Sequence, residues 1–459
     1  MRRVMMAVLL ISSAVFAQSP QPDWSKANTE MLQFLTALVR IDTTNGNETA
    51  AAQYVKGVLD REGIASEVFE RVPGRGNIVA RLKGSGKKQP VLLMAHLDTV
   101  PVERDKWTVD PFGGEVKDGY VYGRGAADDK DNVAASLELF LLLHRLKVPL
   151  DRDIILLFES GEEAQTDVGI EFVIAQHWDK IAAEFAITEG PFAQLENGKV
   201  KWVGISTTEK VPRAMTLEAR GTSGHASIPR VDDPVTHLAA AVAKLGDWRT
   251  PMRLNDTTRA FFAGLAKISD AQDAWAYTHL DDPKAQQYLL EHRGEYYAML
   301  RTTVVPTIIK GGFRENVIPG NAGATVDIRA LPDEDIDAFR ARMRELVNDK
   351  LVTMKPLPSP RPPGEPSRLD TELYRAFEAA TKQIYPGVPM LPVEVPFATD
   401  MAFLRAKGVQ SYGFDPPAPP TSVPEGPRMH GNDERISVVA LDQYLRFFYA
   451  SIVNVAVAK

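Results

Sequence analysis

The chain has 459 residues, with 53 lysines and arginines against 60 aspartates and glutamates, giving a formal charge of −7. That length holds roughly two or three domains, and the mildly acidic balance, with no basic block, gives no support to a nucleic-acid or membrane-surface partner. Cysteine is absent, which excludes disulfides and a lipid-modified cysteine and leaves stability to core packing and metal.

In chain order, Arg2 and Arg3, the apolar stretch Val4 to Ala14 and the site Val15-Phe16-Ala17 read as an export signal over residues 1–17. The stretch is shorter than the roughly 20 residues of a membrane span, so the protein is expected in the periplasm or outside the cell. Met31, Leu32, Phe34, Leu35, Leu38 and Val39 predict a helix over 28–39, and a second helix runs from Glu48 to Arg61 with Gly63 as its stop. Ala65 to Glu70, Asn77 to Leu82 and Val91 to Leu97 read as strands. Asn132 to Leu146 is a strongly apolar helix, Ile154 to Phe158 an all-apolar central strand, Val168 to His177 a helix and Phe185 to Thr188 a buried strand. Such alternation predicts an α/β fold built on a mostly parallel sheet.

Near Thr208 the pattern changes. Ala214 to Arg220 alternates like a strand with one buried face, followed by a helix over 233–245, strands over 308–312 and 324–330, and a helix over 333–347. This order predicts a smaller α+β domain over 209–355, inserted into a catalytic domain formed by 24–208 and 368–459. Residues 249–300 form an extra, mostly helical segment of the insert. The Pro-rich stretch 356–367 is the return linker. Helices over 369–385 and 439–455 complete the second part, with a Pro-rich loop, 416–427, leading to Met429-His430-Gly431.

The chemistry-bearing residues gather at strand ends. Val91 to Ala95 runs into His96, with Asp98 two residues on; Ile154 to Ser160 leads to Gly161-Glu162-Glu163; Phe185 to Thr188 leads to Glu189; and Gly119 to Gly125 leads to Asp128. Carboxylates and imidazoles brought together in this way suit a divalent metal site. Two ions need one bridging carboxylate and about two further ligands each. His96, Asp128, Glu163, Glu189 and His430 are the candidate ligands, with Asp128 suited to the bridge. Glu162, beside a ligand, is free to serve as a general base. Asp98 could orient His96 or join it on a metal. The remaining histidines, His144, His177, His237, His279 and His292, lack such a setting and read as structural.

These segments as a set resemble the M20 family of zinc exopeptidases, which includes glutamate carboxypeptidase, carboxypeptidase S, aminoacylase-1 and succinyl-diaminopimelate desuccinylase. The matching motifs are His96-Leu97-Asp98-Thr99-Val100-Pro101, Tyr122-Gly123-Arg124-Gly125-Ala126-Ala127-Asp128-Asp129-Lys130, Gly161-Glu162-Glu163, Thr188-Glu189-Gly190 and His430. The resemblance implies two Zn2+ per subunit, with Co2+ or Mn2+ as substitutes. His96 and Glu189 would hold one ion, Glu163 and His430 the other, and Asp128 would bridge them through a cis peptide to Asp129. It also makes Asp98 the support of His96 and Glu162 the base.

In the insert, His225 within Gly221-Thr222-Ser223-Gly224-His225-Ala226-Ser227 resembles the histidine that polarises the scissile carbonyl, often across a homodimer formed through this lid domain. Asn316 and Arg329 resemble contacts to a substrate carboxylate, and Thr399 is the candidate for a further substrate contact, although Phe397-Ala398-Thr399-Asp400 departs from the family's Gly-Thr-Asp or Gly-Gly-Thr. The implied activity is hydrolysis of a peptide or amide bond in a small peptide with a free carboxylate, of carboxypeptidase type. An N-acyl-amino-acid hydrolase or synthase, a dipeptidase or aminopeptidase, and a catalytically silent binding protein are the alternatives.

Overall fold

The computed structural model describes residues 21–44, 46–419 and 426–457; the expected export signal lies outside the described residues. An eight-stranded sheet organises the larger domain, in the spatial order Ser66–Glu70, Gly76–Leu82, Ile154–Glu159, Val91–His96, Phe185–Glu196, Gln410–Ala418, Lys199–Glu209, Met390–Val395. Its central strands run parallel, Val91–His96 beside both Ile154–Glu159 and Phe185–Glu196, and Gln410–Ala418 beside Phe185–Glu196. The fold is α/β with a large, mostly parallel sheet, as expected.

The all-apolar strands are buried on both faces because each face is roofed by helices. Val91, Leu93 and Ala95, with Ile154, Leu156 and Phe158, pack into one core with helices Trp24–Val39, Glu48–Arg61, Lys130–Arg145, Glu372–Ile384 and Val438–Ala456. The alternate residues Leu92, Met94, Ile155 and Leu157 pack on the other face against Ile170–Ile181 and Met401–Ala406. The period of two along each strand divides the two cores.

The insert holds a four-stranded antiparallel sheet, Thr303–Gly311, Asn321–Ala330, Met215–Arg220, Val352–Pro356. Helices Pro234–Asp247 and Ile336–Val347 pack on it through Leu238, Ala241, Leu245, Phe339 and Met343. Its last strand overlaps residues expected to begin the linker. Pro356 is tolerated there because the strand lies at a sheet edge.

The helical segment 249–300 takes a different place from the one its position in sequence suggests. Its helices Asp256–Leu265, Ala271–Thr278, Pro283–His292 and Gly294–Met299 share a core with Trp202, Leu391, Val393 and Val395. They therefore pack on one face of the edge strand Met390–Val395 of the large sheet and add to the larger domain rather than to the lid.

Candidate metal centre

His96 ends the strand Val91–His96 and is almost fully buried. The other expected strand-end residues are placed differently. Glu162 and Glu163 sit in a turn beyond Ile154–Glu159, and Glu189 lies inside the long strand Phe185–Glu196. Asp128 precedes the helix Lys130–Arg145, and the short strand before it, Tyr120–Tyr122, belongs to a separate three-stranded sheet with Glu115–Lys117 and Arg435–Ser437. The Asp128–Asp129 peptide is cis.

These segments converge. His96 Nε2 lies 3.1 Å from Asp128 Oδ1, and His430 Nε2 lies 3.0 Å from Asp128 Oδ2 and 3.1 Å from Glu163 Oε1. Asp128 thus offers one oxygen to each imidazole, the arrangement of a bridging ligand. Ligand atoms of His96, Asp128 and Glu163 all lie within 4.8 Å of one another, as do those of His96, Glu162 and Glu189. The donor set, one buried and one exposed imidazole with carboxylates between them, fits a pair of zinc-like divalent ions.

Electrostatics favour a cation at this place. Burial pushes the Glu189 carboxyl well above its usual range, and the neighbouring Glu162, Asp129 and Asp128 push it further. Burial alone would raise Asp128 too, but the His430 and His96 imidazoles outweigh it and hold the carboxyl below the usual range. Asp128 and Glu163 pull His430 up to about 10. So many carboxylates around two rings place a concentrated negative charge where divalent ions would sit.

Asp98 works differently from a simple ring buttress. Its backbone carbonyl faces His96 Nδ1 at 3.0 Å and accepts that N–H, leaving Nε2 to face Asp128. Its carboxylate, 3.6 Å from the ring, accepts instead from the backbone N–H groups of Gly161, Glu162 and Glu163 at 2.8, 3.1 and 3.2 Å. One residue therefore orients the imidazole and fixes the turn that carries Glu162 and Glu163. Asp98 falls in neither potential ligand group.

Two supports begin in the Tyr122–Lys130 motif, but their partners had no signal in the sequence. Asp129, next to the bridge, accepts the backbone N–H of His96 at 3.0 Å. Arg124 and Glu434 form a buried ion pair that joins the His430 loop to the Asp128 segment. Arg124 Nη2 donates to the carbonyls of His430 and Gly431 at 3.3 and 3.2 Å, and Glu434 accepts from the Ala127 N–H at 3.0 Å. Arg428, His430 and Asp433 have φ of 56°, 60° and 55°. Residues other than glycine hold such left-handed backbone only where the surroundings support it, and at His430 the Arg124 guanidinium bonds the backbone carbonyl.

The expected substrate residues are less uniform. His225 is exposed, with Nδ1 2.7 Å from Ser227 Oγ, and it lies beside Asn316 because Gly224–His225 pairs with Val317–Ile318. Arg329 Nε donates to Asp327 at 3.1 Å. Among the described residues, no hydrogen bond joins His225, Asn316 or Arg329 to the His96–His430 cluster. Thr399 is fully buried, and its hydroxyl donates to Glu209 at 2.9 Å.

Comparison with known proteins points to one family. The N-fatty-acyl-amino acid synthase/hydrolase PM20D1 of Homo sapiens is 30% identical over 432 residues, covering 91% of this chain and 85% of that protein. Probable carboxypeptidase S-like 2 of Dictyostelium discoideum is 29% identical over 377 residues, covering 80% of this chain and 72% of that protein. In fold, the M20 family metallo-carboxypeptidase Sso-CP2 from Sulfolobus solfataricus superposes with a TM-score of 0.71 at 18% identity, covering 93% of this chain and 99% of that one. The model of peptidase family M20/M25/M40 matches residues 92–454, a span that contains every candidate ligand, and the chain belongs to that family.

Proposed function

We propose that this M20 hydrolase is an exported, two-zinc amidohydrolase whose principal substrates are N-acyl amino acids. The observation that carries the reading is the bridge at Asp128, one oxygen on each imidazole, with Glu162 beside His96 and Glu189. His96 and Glu189 would hold one ion, Glu163 and His430 the other, and Asp128 both. Bound zinc would supply Lewis acidity, lowering the pKa of a shared water and polarising the scissile carbonyl. Glu162 takes the proton from the attacking water and delivers it to the leaving amine nitrogen. Asn316 and Arg329 bind the free carboxylate of the substrate, Arg329 by a guanidinium fork, and His225 donates to the developing oxyanion.

The relative named for N-fatty-acyl-amino acids, matched over 91% of this chain, supports the acyl-amino-acid substrate class. The carboxypeptidase S-like relative supports a second reading, removal of a C-terminal residue from small peptides. Hydrolysis of N-lauroyl-L-phenylalanine and of blocked and free dipeptides by zinc-loaded protein separates the two. Turnover of the peptides alone would overturn the first reading. Glu162→Gln should lower turnover by about 10²–10⁴-fold with two zinc ions retained; undiminished turnover refutes the proton-carrier role.

A second copy of the chain completes the site in this proposal. Ile228, Val231, Ile309 and Phe313 are 67%, 96%, 60% and 82% exposed. They lie beside His225 and along the open edge strand Thr303–Gly311 of the lid, where apolar exposure and an unpaired edge suit a like partner. His225, exposed on the same lid and unattached to the cluster of its own chain, would then serve the cleft of the other. Export rests on residues 1–17, and fractionation of the source cells tests it.

A further inference from the structure

Glu162 has a partner that the two-metal reading does not use. Arg361 leaves the Pro-rich return linker and reaches the cleft, where its Nη2 donates to the backbone carbonyl of Glu162 at 2.8 Å and to the Glu162 carboxylate. Its Nε donates to the Thr399 carbonyl at 3.3 Å, and Asp400 lies 3.4 Å from Nη2. The guanidinium is thus pinned from two sides by segments far apart in sequence.

The support behind it is rigid. The N–H and hydroxyl of Thr399 both donate to Glu209 at 2.9 Å, and Glu209 is paired with Arg405 at 2.7 Å. Thr399, Glu209 and Arg405 are all buried. With its N–H and hydroxyl committed to Glu209, Thr399 offers its carbonyl to Arg361.

The linker itself does not need this side chain. Arg213, on the outgoing crossing between the domains, donates to Ser359 Oγ at 2.7 Å and to the Arg361 carbonyl at 3.0 Å, which already ties the two crossings together. What does need Arg361 is the Glu162 carboxylate. Asp98 fixes the backbone of the 161–163 turn, but the carboxylate sits beyond that backbone on rotatable bonds. It lies within 4.8 Å of ligand atoms of both His96 and Glu189, close enough to swing onto a cation and be lost as a proton carrier.

We propose that Arg361 is the positioning residue for Glu162, its Nη2 holding the carboxylate by a charge-assisted hydrogen bond in one orientation and off the metals. The proposal rests on the reading of Glu162 as proton carrier. A displacement of about 1 Å at a reacting group lowers rate on the order of 10²-fold, which sets the expected effect.

The test uses the full-length zinc enzyme with N-lauroyl-L-phenylalanine or, if that is not turned over, the best dipeptide of the panel. Arg361→Met should lower kcat by about 10²-fold, change KM less than about twofold and retain two zinc ions by elemental analysis. Arg361→Lys, which keeps the charge but not the planar guanidinium that also reaches the Thr399 carbonyl, should recover part of kcat. In a Glu162→Asp background, where the shortened carboxylate no longer meets the guanidinium, Arg361→Met should cost little more. A raised KM with unchanged kcat would make Arg361 a substrate anchor and overturn the proposal. So would fully additive losses with Glu162→Asp, or loss of zinc or of the folded state in both Arg361 variants. Undiminished turnover in Glu162→Gln alone refutes the underlying base assignment, a result distinct from any of these.

Discussion

Replacing Arg124 by Met should separate the His430 loop from the rest of the metal centre. Arg124 is 2% exposed and Glu434 0%, so removing the guanidinium strands a carboxylate away from water. Breaking one side of a buried pair costs ~3–5 kcal/mol, because the remaining charge is uncompensated. The carbonyls of Pro101, His430 and Gly431 lose the same donor, and the left-handed backbone at His430 loses that support. The urea transition should therefore move down by an amount equivalent to ~3–5 kcal/mol, and zinc content should fall from two ions toward one as His430 leaves Asp128 and Glu163. Burial already raises the Glu434 carboxyl to about 7, so adding Glu434→Gln to Arg124→Met should restore part of the stability but not the second ion. A single variant that unfolds like the parent and keeps two ions would refute the clamp.

Asp98→Ala should weaken turnover and zinc retention together, since three backbone N–H groups of the 161–163 turn lose their acceptor; equilibrium dialysis against a chelator reads this, and parental zinc retention would count against it. Glu138 is fully buried with both carboxylate oxygens unpartnered, and burial, then Glu30, raises its pKa to about 8. A carboxyl raised on folding favours the folded state most below its unfolded value near 4.5, and that contribution is lost as pH rises toward 8. The Glu138→Gln variant should therefore gain on the parent between pH 5.5 and 8.5, by up to ~1.4 kcal/mol per pH unit; parallel melting curves across that window would contradict this. Ile309→Asp with Phe313→Asp should convert a dimer to a monomer in sedimentation and lower kcat with zinc unchanged. A parent that is monomeric at working concentration would refute completion of the site by a second copy.

The central strands were legible in the sequence because burial on both faces leaves a local mark. Val91 to Ala95 and Ile154 to Phe158 are unbroken apolar runs, and His96 stands where the first one stops. The strands Lys199–Glu209, Met390–Val395 and Gln410–Ala418 left no such mark, since charged residues, hydroxyls and prolines interrupt them and tertiary pairing supplies their stability. The helical segment 249–300 was visible as helices, but nothing in its periodicity told which sheet it would cover.

At the metal centre the same division holds. His96, Asp128, Glu163, Glu189 and His430 stand in motifs whose residue types declare a ligand set, so the sequence alone determined the chemistry available. Which groups hold those ligands in place was decided by the tertiary structure. Arg124 meets a carboxylate 310 residues away, and Arg361, a lone cation in a Pro-rich run, meets Glu162 across 199 residues. Periodicity reports only which face of an element is buried, whereas the partner of a buried charge depends on how distant segments pack, and that information exists only once the chain has folded.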